Sequence, residues 1–197
     1  MPAPLRSPAR LHTAILDLAR ERPPEQLTAT EIARHAGVHR STFYEHAETP
    51  AGLLVDALRA DLDGIRRRYL DDPTVDLDDA VVATTRAVLA HIERFEPIYQ
   101  RGLRSPEGSV RALLSTHFRD SLRMLEDAGR VASPVTATGH DGTFGLEATA
   151  RFIAGGAVGL LEAWLAEPPP RAPELYLDAF ASLTAARIIA PRPAELP

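Results

Sequence analysis

Apolar positions recur at three- and four-residue spacing along most of the chain, and no stretch alternates apolar with polar as a half-buried strand would. Leu11, Ala14, Ile15 and Leu18 predict a first helix from about Ala9 to Arg20, closed by Pro23-Pro24. Residues 1–8 hold three prolines and are expected to form an N-terminal arm. Leu53, Leu54, Ala57, Leu58 and Leu62 predict a longer helix reaching about Leu70. It is opened by Thr49 as the cap and Pro50 at the first helical position. Beyond Asp71-Asp72-Pro73, the series Leu77, Val81, Thr84, Val88, Ile92 and Phe95 predicts a long helix ending before Pro97. A short segment, Ile98 to Gly102, then leads to a corner at Arg104-Ser105-Pro106-Glu107. Val110, Leu113, Leu114, His117, Phe118, Ser121, Leu122 and Leu125 give the clearest helical pattern, from about Glu107 to Ala128. Gly129 to Gly145 has no period and is expected to be a loop. Two further helices, about Leu146 to Ala166 and Glu174 to Ala190, flank Pro168-Pro169-Pro170. The predicted fold is all-α.

The stretch from Thr28 to His46 carries more than periodicity. Thr28 followed by Glu31 is a capping box, in which each side chain satisfies the other's free backbone N–H. Ile32, Ala33 and Ala36 place one apolar stripe on a helix of two turns. Gly37 lets the chain leave that helix sharply, and Val38 plugs the corner. A second helix, about Arg40 to His46, turns Phe43 inward and leaves a polar outer face. A short hydrogen-bonding helix held by a glycine corner is the arrangement that major-groove reading requires.

The run Thr28-x-x-Glu31-Ile32-Ala33-x-x-Ala36-Gly37-Val38-x-x-Ser41-Thr42-Phe43-Tyr44-x-His46 resembles the DNA-binding signature of the tetracycline-repressor (TetR) family of bacterial regulators. The matching region covers roughly residues 11–58. The resemblance implies a helix-turn-helix DNA-binding domain at 1–48, a linking helix at 49–72, and a helical ligand-binding and dimerisation domain at 73–197. It also implies that His39, Arg40, Ser41, Thr42, Tyr44 and His46 face DNA. Arg40 suits base reading, because its guanidinium fork matches guanine O6 and N7. Thr42, Tyr44 and His46 suit phosphates, as does Thr28 at the head of the preceding helix, while Thr30 beside it suits a phosphate or a base edge. Three positions depart from the family pattern. His39 stands where a serine often caps the reading helix, Ala47 replaces an aromatic, and Pro50 replaces a lysine that touches a phosphate.

A single reading helix buries too little surface for useful specificity, so the expected partner is palindromic double-stranded DNA bound by a homodimer. The resemblance places the pairing surface on the last two helices. Phe152, Gly155, Gly159, Trp164 and Phe180 are the candidates, with the two glycines permitting close helix approach. A small-molecule effector is implied as well. His91, Phe95, Tyr99, His117, Phe118, Phe152 and Trp164 are its candidate contacts, being polar or aromatic groups on otherwise aliphatic faces.

Composition constrains the alternatives. The chain has 197 residues and a net charge of −5. Residues 1–60 carry seven arginines against seven acids, and residues 61–197 carry 15 against 20, so the acidity lies outside the DNA-facing segment. There are no lysines and no cysteines, so disulfide and thiolate chemistry are excluded. No apolar run approaches the roughly 20 residues of a membrane span, and Met1 to Arg6 lack the apolar core of a secretory signal. The expected location is the cytoplasm, at the nucleoid, with no membrane partner. His91 with Glu93, His117 with Asp120, and His140-Asp141 are the only pairs resembling an acid–base or metal site, and none has recognised ligand spacing. No enzyme activity, cofactor or metal is expected. A ligand-binding or protein-partner adaptor that kept the scaffold and lost specific DNA binding is the competing reading.

Overall fold

The computed structural model describes residues 7–104, 108–131 and 143–185. Residues 1–6 of the expected arm, residues 105–107 of the expected corner, His140-Asp141, and the last helix beyond residue 185 lie outside them. Among the described residues there are nine α-helices, one 3-10 turn and no strand: α1 (Ser7–Glu21), the turn Pro24–Gln26, α2 (Ala29–Ala36), α3 (Arg40–His46), α4 (Pro50–Leu70), α5 (Leu77–Arg94), α6 (Glu96–Arg104), α7 (Ser109–Asp127), α8 (Thr143–Ala166) and α9 (Pro173–Ala185).

Most boundaries follow from local chemistry. Thr49 Oγ1 accepts the Gly52 N–H at 3.0 Å and starts α4. Asp76 does the same for α5, accepting from the backbone N–H groups of Asp78 (2.9 Å) and Asp79 (3.2 Å). Two expectations need correction. The short segment expected from Ile98 to Gly102 is part of a helix that begins before Pro97; the proline sits at the second position of α6, where its missing N–H is one that no helix would use. The helix then runs to Arg104, beyond the Gly102 limit expected. Likewise α8 begins at Thr143, inside the stretch expected to be a loop.

One apolar core links α1 to α9. It joins Leu11, Ile15, Ile32, Phe43, Leu58 and Leu62 at one end to Ile92, Tyr99, Leu114, Val158, Leu161 and Trp164 at the other. A smaller cluster, Leu70, Ala80 and Leu125, closes the far end of α4. Gly102 is where α6 and α7 come closest, since a Cβ there would lie 2.4 Å from Val110 Cγ2.

Arginines tie off four helix C-termini, where unpaired carbonyls and the negative dipole end welcome a cation. Arg10 Nη2 donates to Gly37 O at 2.6 Å, past the end of α2. Arg101 donates to Ala19 O and Arg20 O in the last turn of α1. Arg130 reaches Leu70 O (3.1 Å) and Val75 O (2.7 Å) after α4. Arg171 is buried; it donates to Glu167 O (2.7 Å) and Leu165 O (3.2 Å) of α8, with Glu96 Oε1 at 2.7 Å offsetting its charge. Three of these four contacts bridge residues far apart in sequence, so the arginines fasten helices to one another as well as capping them.

Candidate nucleic-acid interface and ligand cavity

The capping box forms as its spacing predicts. Glu31 N–H donates to Thr28 Oγ1 at 3.2 Å, and Thr28 N–H donates to Glu31 Oε2 at 2.9 Å. The hydrogen bonds from Thr28, helped by Arg22, hold the Glu31 carboxyl below the usual carboxylate range. Ile32, Ala33 and Ala36 are buried, and Gly37 adopts φ +63°, the left-handed conformation that ends α2. A Cβ on Gly37 would come within 2.5 Å of Arg10 Nη2, so this glycine serves both the turn and the arginine that clamps it.

On α3 the division of faces is complete. Phe43 is 0% exposed, and Tyr44 beside it is 52% exposed. His39, Arg40, Ser41 and His46 are exposed, and Thr42 is half-buried. Thr28 and Thr30, at the head of α2, are exposed too. His39 caps α3 without a side-chain hydrogen bond. Arg40 lies along the helix: its Nη2 donates to Tyr44 Oη at 3.1 Å, and its guanidinium sits 5.4 Å from the Tyr44 ring centroid. Tyr44 in turn meets Phe43 edge-on, with centroids 5.3 Å apart. The buried phenylalanine thus seats the tyrosine, and the tyrosine seats the arginine.

A cavity of about 260 Å³ opens among α5, α7, α8 and α9. Val88, Ile92, Leu122, Leu125, Leu161 and Phe180 are among its apolar walls, and His117, Thr85 and Ser121 are among its few polar ones. His117 is 6% exposed, and its Nδ1 has no hydrogen-bond partner among the described residues. Burial, with the Arg66 charge adding to it, lowers its pKa to about 4 and keeps the imidazole neutral at pH 7.

Of the expected effector contacts, His117 and Phe118 line this cavity. His91, Phe95, Tyr99 and Trp164 do not; Phe95, Tyr99 and Trp164 are buried elsewhere in the same core, and the His91 side chain, 8% exposed, faces α4 and α6. His91 Nε2 shares a 3.0 Å hydrogen bond with Tyr99 Oη, and its Nδ1 lies 3.7 Å from Asp61 Oδ2 on α4. Burial, then the Arg94 charge, lowers its pKa to about 4 as well. The pairing of His91 with Glu93 suggested by their proximity in sequence is replaced by these contacts across helices. Trp164 donates its indole N–H to Ala172 O at 3.0 Å. No group of three or more His, Asp or Glu among the described residues could hold a metal ion.

The outer face of α8 separates the expected pairing residues. Phe152 is 67% exposed, so it leaves the effector set. Gly155 and Gly159 share its face, with nothing within 4 Å of where a Cβ would be. Trp164 and Phe180 point the other way, into the core and the cavity, and do not belong to that surface. Leu175 and Leu183 of α9 are exposed as well, and their eight-residue spacing is the only sign of it in the sequence. Thr85, Ile153 and Tyr176 of the cavity wall were missed, being ordinary interior positions in sequence. No helix among the described residues is long and apolar enough to cross a membrane.

No family model and no curated protein matches the sequence. Solved structures do. The FadR protein of Thermus thermophilus, a TetR-family transcriptional repressor in complex with lauroyl-CoA, superposes with a TM-score of 0.60 at 23% identity, covering 96% of this chain and 98% of that one. The fatty acid degradation regulator FadR of Bacillus halodurans gives 0.63 at 11% identity, covering 96% and 100%. A TetR-family transcriptional regulator of Streptomyces coelicolor gives 0.59 at 22% identity, covering 91% and 85%. With coverage near complete on both sides, the chain has the fold of the TetR-family transcriptional regulators.

Proposed function

We propose that this chain is a sequence-specific DNA-binding transcriptional regulator, a repressor released from a palindromic operator by a small molecule. The observation that carries the reading is α3. One residue, Phe43, anchors it in the core, while Arg40, Tyr44 and His46 leave hydrogen-bonding groups on its free surface. Residues 1–48 form the reading head, 49–72 the link, and 73–197 the receiving body. The Thermus thermophilus repressor, with lauroyl-CoA bound, is a precedent for a protein of this fold that takes a small molecule. The role is binding, not turnover, and its place is the cytoplasm, on the nucleoid.

Two copies are needed to read an inverted repeat, and the outer face of α8 and α9 suits their pairing. Phe152, Leu175 and Leu183 expose apolar area there, and Gly155 and Gly159 leave room for a neighbouring helix. Gly159→Leu puts a branched side chain into that gap. It is expected to raise the dimer dissociation constant tenfold or more, about 1.4 kcal/mol, as read by sedimentation. A mutant that sediments like wild type over the whole concentration range rules this face out. Coupling to the cavity follows if an occupant favours one spacing of the two heads over the other. Helix α4 is placed to carry it, since it reaches from the head to the body, with Asp61 near His91.

The test is a binding selection from random duplex DNA at moderate salt. Enrichment of an inverted repeat is the expected result. If no sequence is enriched even at low salt, the reading fails and the scaffold serves as an adaptor.

A further inference from the structure

We propose that the cavity takes an uncharged, largely apolar small molecule carrying one hydrogen-bonding group, which pairs with His117. This rests on the reading of the cavity as the regulator's input site, and it names the class of input. Among the described residues, the wall includes no arginine, aspartate or glutamate. Most polar groups on it are already occupied: Thr84 Oγ1 donates to Ala80 O at 2.7 Å, Ser121 Oγ to His117 O at 2.8 Å, Thr184 Oγ1 to Phe180 O at 2.7 Å, and Tyr176 Oη to Ala157 O at 3.2 Å. Each of these has given its one proton to its own helix or a neighbour's, so it can offer a guest only an oxygen that accepts. Among the described residues, the imidazole of His117 and the Thr85 hydroxyl are the wall groups that still have a proton to give.

A neutral imidazole carries one donor and one acceptor. His117 is buried, lines the cavity, is neutral at pH 7 and makes no ring hydrogen bond among the described residues; its Nδ1 is closed off from the cavity, which leaves Nε2 for a guest. It is therefore the group whose hydrogen-bonding capacity a guest would complete. A carboxylate or ammonium in the same place would lose its hydration and find no opposite charge on the wall; Arg66, whose charge reaches His117, is already paired with Asp63 at 2.8 Å. The size of the space, about 260 Å³, lies just below the range of about 300 to 1,000 Å³ usual for ligand pockets. Shape and chemistry together select a compact ring system or short chain with a hydroxyl, carbonyl or amide.

The test uses the full chain without DNA and three probes of similar shape: 1-naphthol, naphthalene and 1-naphthoate, titrated calorimetrically at pH 7.5. We expect 1-naphthol to bind once per protomer, and naphthalene to bind roughly threefold to tenfold more weakly for want of the hydrogen bond. We expect 1-naphthoate to bind at least about 100-fold more weakly than 1-naphthol, for its stranded charge. In His117→Phe, 1-naphthol should fall to the affinity of naphthalene. In Leu122→Trp, which fills the space, all binding should vanish. Binding of 1-naphthoate as tight as that of 1-naphthol overturns the proposal. So does an unchanged preference for 1-naphthol in His117→Phe, or wild type that binds none of the three. Should His117→Phe fail to fold, the wild-type ranking of the probes decides alone. Because no DNA is present, these failures leave the DNA-reading role standing, and an empty selection would leave the ligand class standing.

Discussion

Arg40→Ala is expected to weaken operator binding by about 1–3 kcal/mol per half-site, hence about 2–6 kcal/mol for a symmetric dimer, and to relax preference at one base pair in each half. The reasoning starts from the free protein. There, Arg40 spends one N–H on Tyr44 Oη and rests near its ring. An exposed cation–π contact is worth about 0.5–1 kcal/mol, less than a bidentate contact to guanine, so the arginine can leave Tyr44 when a matching base is offered. Base and phosphate roles separate by salt. If Arg40 reads a base, the slope of log K against log salt changes little. If it only neutralises a phosphate, affinity falls evenly across sequences and the slope drops by about 0.9 per protomer. Unchanged affinity and unchanged preference in the mutant would remove Arg40 from the interface.

Acid should destabilise this protein well before its carboxylates titrate. His91 and His117 are held to a pKa of about 4, mainly by burial, against about 6.5 in an unfolded chain. The sign follows from proton uptake. Between pH 6.5 and 4 the unfolded chain binds protons that the folded chain refuses, so stability falls as pH falls and levels off below about 4. From pH 7.5 to 5 the loss is about 2 kcal/mol per histidine, or about 4 kcal/mol for the pair. His12, whose pKa burial also lowers, adds in the same direction. Asp61, whose pKa burial raises, takes up a proton in the folded state and opposes it. Urea midpoints at the two pH values measure the difference. His91→Gln, which keeps an amide near Tyr99, should remove about half of it. A midpoint that does not move between pH 7.5 and 5 would show that the imidazoles are not buried neutral.

The stretch from Thr28 to His46 was legible because its signals are local. Thr28 and Glu31 are three residues apart, Gly37 needs a left-handed turn whatever surrounds it, and Phe43 is the single aromatic on the inward side of α3. The helices beyond α4 were legible only in outline. Period shows that Tyr99, Trp164, His117 and Phe152 belong to helices, but core, cavity wall and the exposed face of α8 are all apolar, and sequence does not say which one a residue joins. His117 came to the cavity, Tyr99 and Trp164 to the core, and Phe152 to the outside. Pro97 closes α5 as expected and also opens α6: a proline that stops one helix suits the first turn of the next, and the break between them falls at Phe95. The arginine clamps had no sequence signal, since a carbonyl 27 or 81 residues away leaves no mark on the residues around Arg10 or Arg101.

Trp164 is the only tryptophan in the chain, 3% exposed, with Arg171 5.7 Å from its ring. It stands one helical turn from Leu161, which lines the cavity. All indole emission from a protomer therefore originates at one dry position between the cavity and the start of α9. A shift of that emission to longer wavelength reports water reaching this seam, with no label attached and no second fluorophore of its kind to subtract.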